Sequence, residues 1–252
     1  MTYTYVLSGV VTPERAMLEL GTPFGVKFRH PEAGIHGDIR LTIYKNQITC
    51  ILVSETKILN PFTAKNVLGD FIQQVTDAAC LEAVVGYVVD IVSLTDTQSG
   101  ETIVFGPSET TIGIKNDEMM NLDLFGIISA ASQNPYVGRA LADFRSAVRY
   151  PGDTGFFCYR ATESLIQHVK SVESLNDKQK KTAIAILENQ LKLAPECLET
   201  LRDMAGEVRH GKVVWVDGDQ RIRALTLTRE IIKRYVAISE NLASGDFPLL
   251  IP

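Results

Sequence analysis

The hydrophobic residues of this 252-residue chain change their period part-way along it, from two in the first half to three or four in the second. A period of two places alternate side chains on one face of a strand, whereas spacings of three and four place them on one side of a helix. A chain that changes from one pattern to the other predicts an α+β fold with its strands and helices segregated along the sequence. We therefore expect two domains, residues 1–125 and residues 126–252.

The first half predicts an antiparallel sheet packed on one helix. Four segments alternate between apolar and polar residues: 3–9, 24–29, 39–43 and 48–52. Asn60 followed by Pro61 supplies an N-cap and a proline for the first turn of a helix over about residues 61–85, which Gly86 ends. A second hairpin over residues 87–105 then completes the domain.

The second half predicts an all-α bundle of four or five helices. The helical spacing runs through five segments: 136–149, 154–169, 176–193, 195–209 and 222–242. Before them, the stretch from Gly106 to Gln133 holds a Gly-Pro pair and several Thr and Ser residues, and it is followed by Asn134-Pro135. We interpret this stretch as the joint between the two domains, because such residues favour loops and breaks.

Charge divides the chain at the same place. Residues 1–125 carry 8 basic and 15 acidic side chains, whereas residues 126–252 carry 17 basic and 15 acidic ones. The overall net charge of −5 argues against broad electrostatic capture of nucleic acid. Residues 202–234 are locally basic, with 8 basic and 5 acidic side chains, although such a run more often forms a solvated face. An acidic first domain instead fits a protein partner.

Several classes of protein are excluded or disfavoured by what the sequence lacks. No apolar run approaches the roughly 18 residues of a membrane span, and the first residues do not resemble a signal peptide. The four cysteines lie far apart without a CxxC pair, which favours buried reduced thiols and a cytoplasmic location. P-loop, GxGxxG, HExxH and GxSxG motifs are absent, and there are only four histidines. We therefore expect neither a metal nor a cofactor.

The end of the helix over residues 195–209 is the candidate site. Arg209, His210, Gly211 and Lys212 follow one another there. Cations at a helix C-terminus can simply compensate the helix dipole. The alternative is a phosphate-binding and acid–base pair, because Arg grips phosphate through two hydrogen bonds and His exchanges protons near neutral pH. By the dipole argument, His168 near the end of its own helix is expected to have a structural role as a protonated imidazole.

Two segments of the helical half carry a family resemblance. Residues 157–165 read Phe-Cys-Tyr-Arg-Ala-Thr-Glu-Ser-Leu, and the later helix ends in Arg209-His210-Gly211. Over about residues 134–242 the chain resembles the HEPN superfamily (higher eukaryotes and prokaryotes nucleotide-binding), near the bacterial proteins related to the methylamine-utilisation protein MauJ. The resemblance implies a homodimer that acts on RNA. It implies either a metal-independent endoribonuclease of a toxin or defence system or a degenerate RNA- or nucleotide-binding relative.

Carried over to this sequence, the resemblance makes His210 the catalytic histidine. In the superfamily a spacer of four to six residues separates the arginine from the histidine, which here would place the arginine at Ala205, Met204 or Asp203. The spacer between Arg202 and His210 is seven residues. The catalytic arginine is therefore expected to be Arg202 or Arg209, with Lys212 binding substrate.

Arg160 and Glu163 complete the expected site as substrate-binding residues. They lie three positions apart on one helix, so they are also expected to form an ion pair with each other. The alternative function is a non-enzymatic dimeric interaction protein, whose acidic N-terminal domain binds a protein partner.

Overall fold

The computed structural model describes residues 2–106, 124–212, 214–239 and 247–252. The chain divides into two compact units, Met1–Glu109 (unit 1) and Thr110–Pro252 (unit 2). Unit 1 is an antiparallel sheet with one helix, and unit 2 is helical, so the predicted α+β fold is confirmed. The division between the units falls in residues 107–123, outside the described part of the chain.

Unit 1 is built from six antiparallel strands and one helix. The sheet has the order β2-β3-β4-β1-β5-β6. Its elements are β1 (Tyr3–Thr12), β2 (Phe24–His30), β3 (Ile35–Tyr44), β4 (Gln47–Ser54), α1 (Pro61–Ala83), β5 (Val88–Asp96) and β6 (Thr102–Val104). The alternating apolar residues form one buried face, and the apolar side of α1 packs into the same core.

The two ends of α1 are defined by different local interactions. Its start is as predicted, because the Asn60 side chain accepts hydrogen bonds from the backbone N–H groups of Phe62 and Thr63 at 2.9 and 3.1 Å. Its end is not at Gly86. The helix ends at Ala83, and Val84 adopts a left-handed conformation with φ 53°, held by a bond from its N–H to the Cys80 carbonyl. A β-branched residue rarely takes this conformation, so the sequence pointed to the nearby glycine.

Unit 2 packs its helices around a central one. Its elements are α2 (Leu124–Gln133), α3 (Pro135–Arg149), α4 (Thr154–Val172), α5 (Lys180–Leu191), α6 (Pro195–Arg209) and α7 (Gly218–Ser239). Helix α4 contacts α3, α5, α6 and α7. Its buried side is mainly apolar, with Cys158, Ala161, Leu165, Ile166 and Val169 all buried. The predicted helical bundle is therefore present, with an additional helix.

That additional helix lies in the predicted joint. Residues 124–133 form α2, and the rest of the joint, residues 107–123, lies outside the described residues. Asn134-Pro135 is a break between two helices rather than the end of a linker. The Asn134 side chain caps α3 by accepting a hydrogen bond from the N–H of Tyr136 at 2.9 Å.

Two other predicted helix starts move by one turn. Residues Asp177–Gln179 form a 3₁₀ turn with an Asn176 capping box, so α5 begins at Lys180. Helix α7 begins at Gly218, because the Asp217 carboxylate accepts a hydrogen bond from the N–H of Gln220 at 2.8 Å. The predicted end of α7 at residue 242 lies outside the described residues.

Helices α4 and α6 approach each other closely at one glycine. A Cβ atom at Gly155 would lie 2.9 Å from both the Cβ and the carbonyl oxygen of Met204. Side chains do not tolerate such distances, so the missing side chain allows the two helix backbones to meet. This contact places the C-terminal part of α6 against α4, where the candidate residues lie.

The four cysteines are free thiols, and three of them are buried, as the sequence predicted. Burial raises the pKa of Cys50 to about 12 and that of Cys158 to about 11, so both stay protonated at neutral pH. Among the described residues, no helix is both long enough and apolar enough to cross a membrane.

Candidate functional site

Four residues from three helices of unit 2 form a charged group that we call the Glu163 cluster: Tyr159, Glu163, Lys180 and Arg209. Helix α4 contributes Tyr159 and Glu163, α5 begins with Lys180, and α6 ends with Arg209. The Glu163 carboxylate accepts a hydrogen bond from Lys180 Nζ at 2.8 Å, and the same oxygen lies 3.8 Å from Arg209 Nη1. One carboxylate therefore serves two cations, which leaves the cluster with excess positive charge.

The Tyr159 ring lies beneath both cations of the cluster. Lys180 Nζ is 5.7 Å and Arg209 Cζ 5.6 Å from the ring centroid, within the range of cation–π attraction. Lys180 Nζ also donates a hydrogen bond to the Tyr159 hydroxyl at 3.3 Å. Burial lowers the pKa of Lys180, but Glu163 and Tyr159 raise it by more, so the net pKa is above its ordinary value. Lys180 thus stays charged at neutral pH.

The loop after α6 exposes further polar and aromatic side chains. His210 caps α6 through its backbone N–H, which donates to the Glu207 carbonyl at 3.0 Å, and its side chain is exposed. Lys212 Nζ donates to the Glu207 carboxylate at 2.8 Å. Trp215 follows with 38% of its surface exposed. The basic end of α6 and the exposed indole ring of Trp215 therefore lie close in sequence, before α7 begins.

The structure does not pair Arg202 with His210. The Arg202 guanidinium is exposed and donates to the carboxylates of Glu199 and Asp203 at 3.0 and 3.2 Å. Because α6 rises about 1.5 Å per residue, the backbones of residues 202 and 210 are about 12 Å apart along the helix axis. Arg209, next to His210, is instead the arginine that joins the cluster.

The expected ion pair between Arg160 and Glu163 is wrong. Arg160 Nη2 donates to the Asp143 carboxylate of α3 at 2.5 Å, and Asp143 is only 2% exposed. A buried carboxylate needs a countercharge, and this requirement outweighs a surface pair between neighbours on one helix. The Arg160 guanidinium also stacks 5.1 and 4.8 Å from the ring centroids of Phe156 and Phe157. Arg160 thus connects α4 to α3.

A second polar group lies at the other end of α4. His168 Nδ1 is hydrogen-bonded to the Tyr235 hydroxyl of α7, and the Asn134 side-chain amide donates to the same nitrogen at 3.0 Å. Burial lowers the pKa of His168 below its ordinary value. The expected protonated imidazole at the helix end is therefore wrong, because desolvation by neighbouring helices outweighs the dipole.

The sequence did not reveal Lys180 or Asp143 as part of any site. Both lie in helices that were recognised by their apolar spacing, and nothing in that spacing distinguishes a paired charge from a solvated one. Tyr159 was within the family-like segment but carried no expected role. An aromatic residue four positions before an acidic one, on the same helix face, is the one local signal that relates Tyr159 to Glu163.

Both units match models of protein domains. Residues 5–105 match "Domain of unknown function (DUF8168) N-terminal domain", and residues 124–240 match "Domain of unknown function (DUF8168) C-terminal domain". All residues of the Glu163 cluster lie within the second match. No curated protein and no solved structure matches the chain.

Proposed function

The chain belongs to the DUF8168 family, both of whose domains it carries in order, and because that description includes no function, we propose one from the site: this is an RNA-directed, HEPN-like protein. Its helical unit binds single-stranded RNA through the C-terminal end of α6 and the following loop. The observation that carries the proposal is the Glu163 cluster, in which two cations share one carboxylate beside that exposed loop.

The residues have the chemistry that single-stranded RNA requires. Lysine and arginine side chains neutralise phosphates, while bases stack on exposed aromatic rings. Arg209 and Lys212 supply the charge, and His210 offers a hydrogen bond at the same helix end. Trp215 supplies the exposed ring. The chain as a whole is acidic, so we expect a small contact with few phosphates rather than a long basic track.

We assign binding rather than cleavage to the site. In the pattern of the HEPN superfamily an arginine assists the histidine, but Arg202 is held by Glu199 and Asp203. Arg209 is the remaining candidate, and its guanidinium already packs over Tyr159. A metal-independent nuclease would need His210 to move a proton at the phosphate with Arg209 stabilising the charge.

Trp215 provides a direct test of binding, because it is the chain's only tryptophan. Titration with a 12-nucleotide oligouridine should quench its fluorescence, and the affinity should fall as salt rises. Arg209→Ala and Lys212→Ala should each weaken binding several-fold and lower the salt slope by about one. Arg202→Ala is the matched control, since it removes an exposed cation from the same helix. Absence of quenching, or equal losses for Arg202→Ala and Arg209→Ala, would contradict the proposal.

Cleavage is tested separately with end-labelled RNA and a chelator. We expect the RNA to stay intact with the wild-type protein. Metal-independent cleavage that disappears in His210→Ala would show that the site is a nuclease. A dimer that neither binds nor cleaves RNA would instead support the alternative, an interaction protein whose acidic unit 1 binds a protein partner. In either case the free cysteines, three of them buried, fit a reducing, cytoplasmic location.

A further inference from the structure

Three helices of unit 2 line one cavity. It has a volume of about 140 Å³. The lining residues come from the last turns of α4 and α5 and from the last described turns of α7, and they include His168, Glu173, Gln190, Tyr235 and Ser239. The cavity lies near the opposite end of α4 from the N-terminal turns, so it is distinct from the Glu163 cluster.

The electrostatics of this cavity favour a cation. A helix C-terminus carries a partial negative charge, and the C-terminal turns of α4 and α5 both line the cavity. Glu173, just beyond α4, is the one formally charged residue among the described residues of the lining. Arg234 caps the end of α5 by donating to the Leu191 carbonyl at 2.9 Å, but it does not line the cavity. Arg234 thus compensates the end of α5, whereas the Glu173 carboxylate and the end of α4 have no cation among the described lining residues.

The other polar groups of the cavity add no positive charge. Burial lowers the pKa of His168 and raises that of Tyr235 to about 12, so both are neutral at pH 7. Their rings lie 5.9 Å apart in an edge-on arrangement and offer aromatic surface to a cation. The hydrogen bonds that His168 shares with Tyr235 and Asn134 fix both rings in place.

The lining also defines the kind of cation. Among the described residues, no group of three His, Cys, Asp or Glu side chains could hold a metal ion. The remaining walls are apolar, formed by Val169, Val172, Leu191 and Ile238. From this combination we infer that the cavity binds a small organic cation, a short alkylammonium whose charged head lies at Glu173 and whose apolar body packs between α4 and α7.

Three probes of nearly the same shape test this inference: isopentylammonium, isopentanol and isovalerate. Binding to the full chain is followed at pH 7.5 by chemical-shift changes in two-dimensional NMR spectra. The ammonium should bind at least tenfold more tightly than the alcohol, and the carboxylate should bind least. Glu173→Gln should remove most of that preference, whereas Glu196→Gln, an exposed carboxylate of α6 outside the cavity, should leave it unchanged.

A second variant tests the cavity rather than the charge. Val172 lines the cavity but is 65% exposed, so Val172→Phe should narrow the cavity without disturbing the core. This variant should lose the ammonium while keeping the wild-type melting temperature. Equal affinity for ammonium and alcohol, a preference for carboxylate, or no binding at tens of millimolar would overturn the inference. RNA binding through Arg209 is measured independently and does not depend on this result.

Discussion

At the scale of single residues, the neutral state of His168 gives a pH-dependent stability. Its pKa is lower in the folded protein than the ordinary 6.5, because burial disfavours the charged imidazole. Its contribution to the free energy of unfolding is therefore complete above pH 6.5 and is lost as the pH falls through the lower, folded pKa. Urea unfolding at pH 7.5 and 5.5 should show a larger loss for the wild type than for His168→Gln. His210→Ala, which changes an exposed histidine, is the control and should behave like the wild type. An imidazole NMR titration with a pKa at or above 6.5 would contradict this explanation.

The same residue shows where sequence-based prediction of the site ends. The expectation of a charged His168 relied on its own helix, whereas its partner Tyr235 lies 67 positions away. Arg160 is similar, because Asp143 belongs to a different helix. Arg209 and Glu163 were both recognised as candidates, but their proximity depends on how α6 packs on α4. The sequence therefore indicates which residues carry chemistry better than it indicates their partners.

At the scale of helices, the contact between α4 and α6 depends on a missing side chain. Gly155→Ala would place a methyl group 2.9 Å from Met204, and such overpacking costs about 1–3 kcal/mol. Gly206→Ala in α6 is the matched control, since no heavy atom of the described residues would lie within 4 Å of its Cβ. Helix propensity alone should make that control more stable by up to about 1 kcal/mol. Urea unfolding compares the two variants, and a stabilised Gly155→Ala would show that the helices can separate freely.

The elements themselves were largely predictable, because hydrophobic period reports burial directly. The alternating segments became strands and the helical segments became helices. The exceptions lie at the boundaries of elements, where capping residues and prolines occur. Asn134-Pro135 separates two helices, and reading it as the end of a linker concealed α2. Local capping residues cannot distinguish these cases, since the same Asn-Pro pair begins a helix after a loop or after another helix.

At the scale of the whole molecule, we expect a homodimer. The family resemblance implies one, and α2 exposes an apolar strip of Leu124, Phe125 and Ile128, with Phe125 84% exposed. A two-fold interface would bury this strip against its own copy. Light scattering at micromolar concentration should give about twice the protomer mass of 27.8 kDa. Phe125→Glu should shift the protein toward the protomer mass, with Phe62→Glu on unit 1 as the control. A single protomer mass for the wild type would contradict the expectation.

The sharing of Glu163 between two cations has a consequence for the speed of ligand exchange. In the proposed RNA complex, a phosphate that binds Arg209 would leave the carboxylate paired with Lys180, and Arg209 would return to Glu163 when the phosphate dissociates. Each step swaps one electrostatic partner for another, and neither leaves an isolated buried charge. Binding at this site would therefore be an exchange of ionic partners. Its reorganisation energy should be small, so its complexes should form and dissociate rapidly.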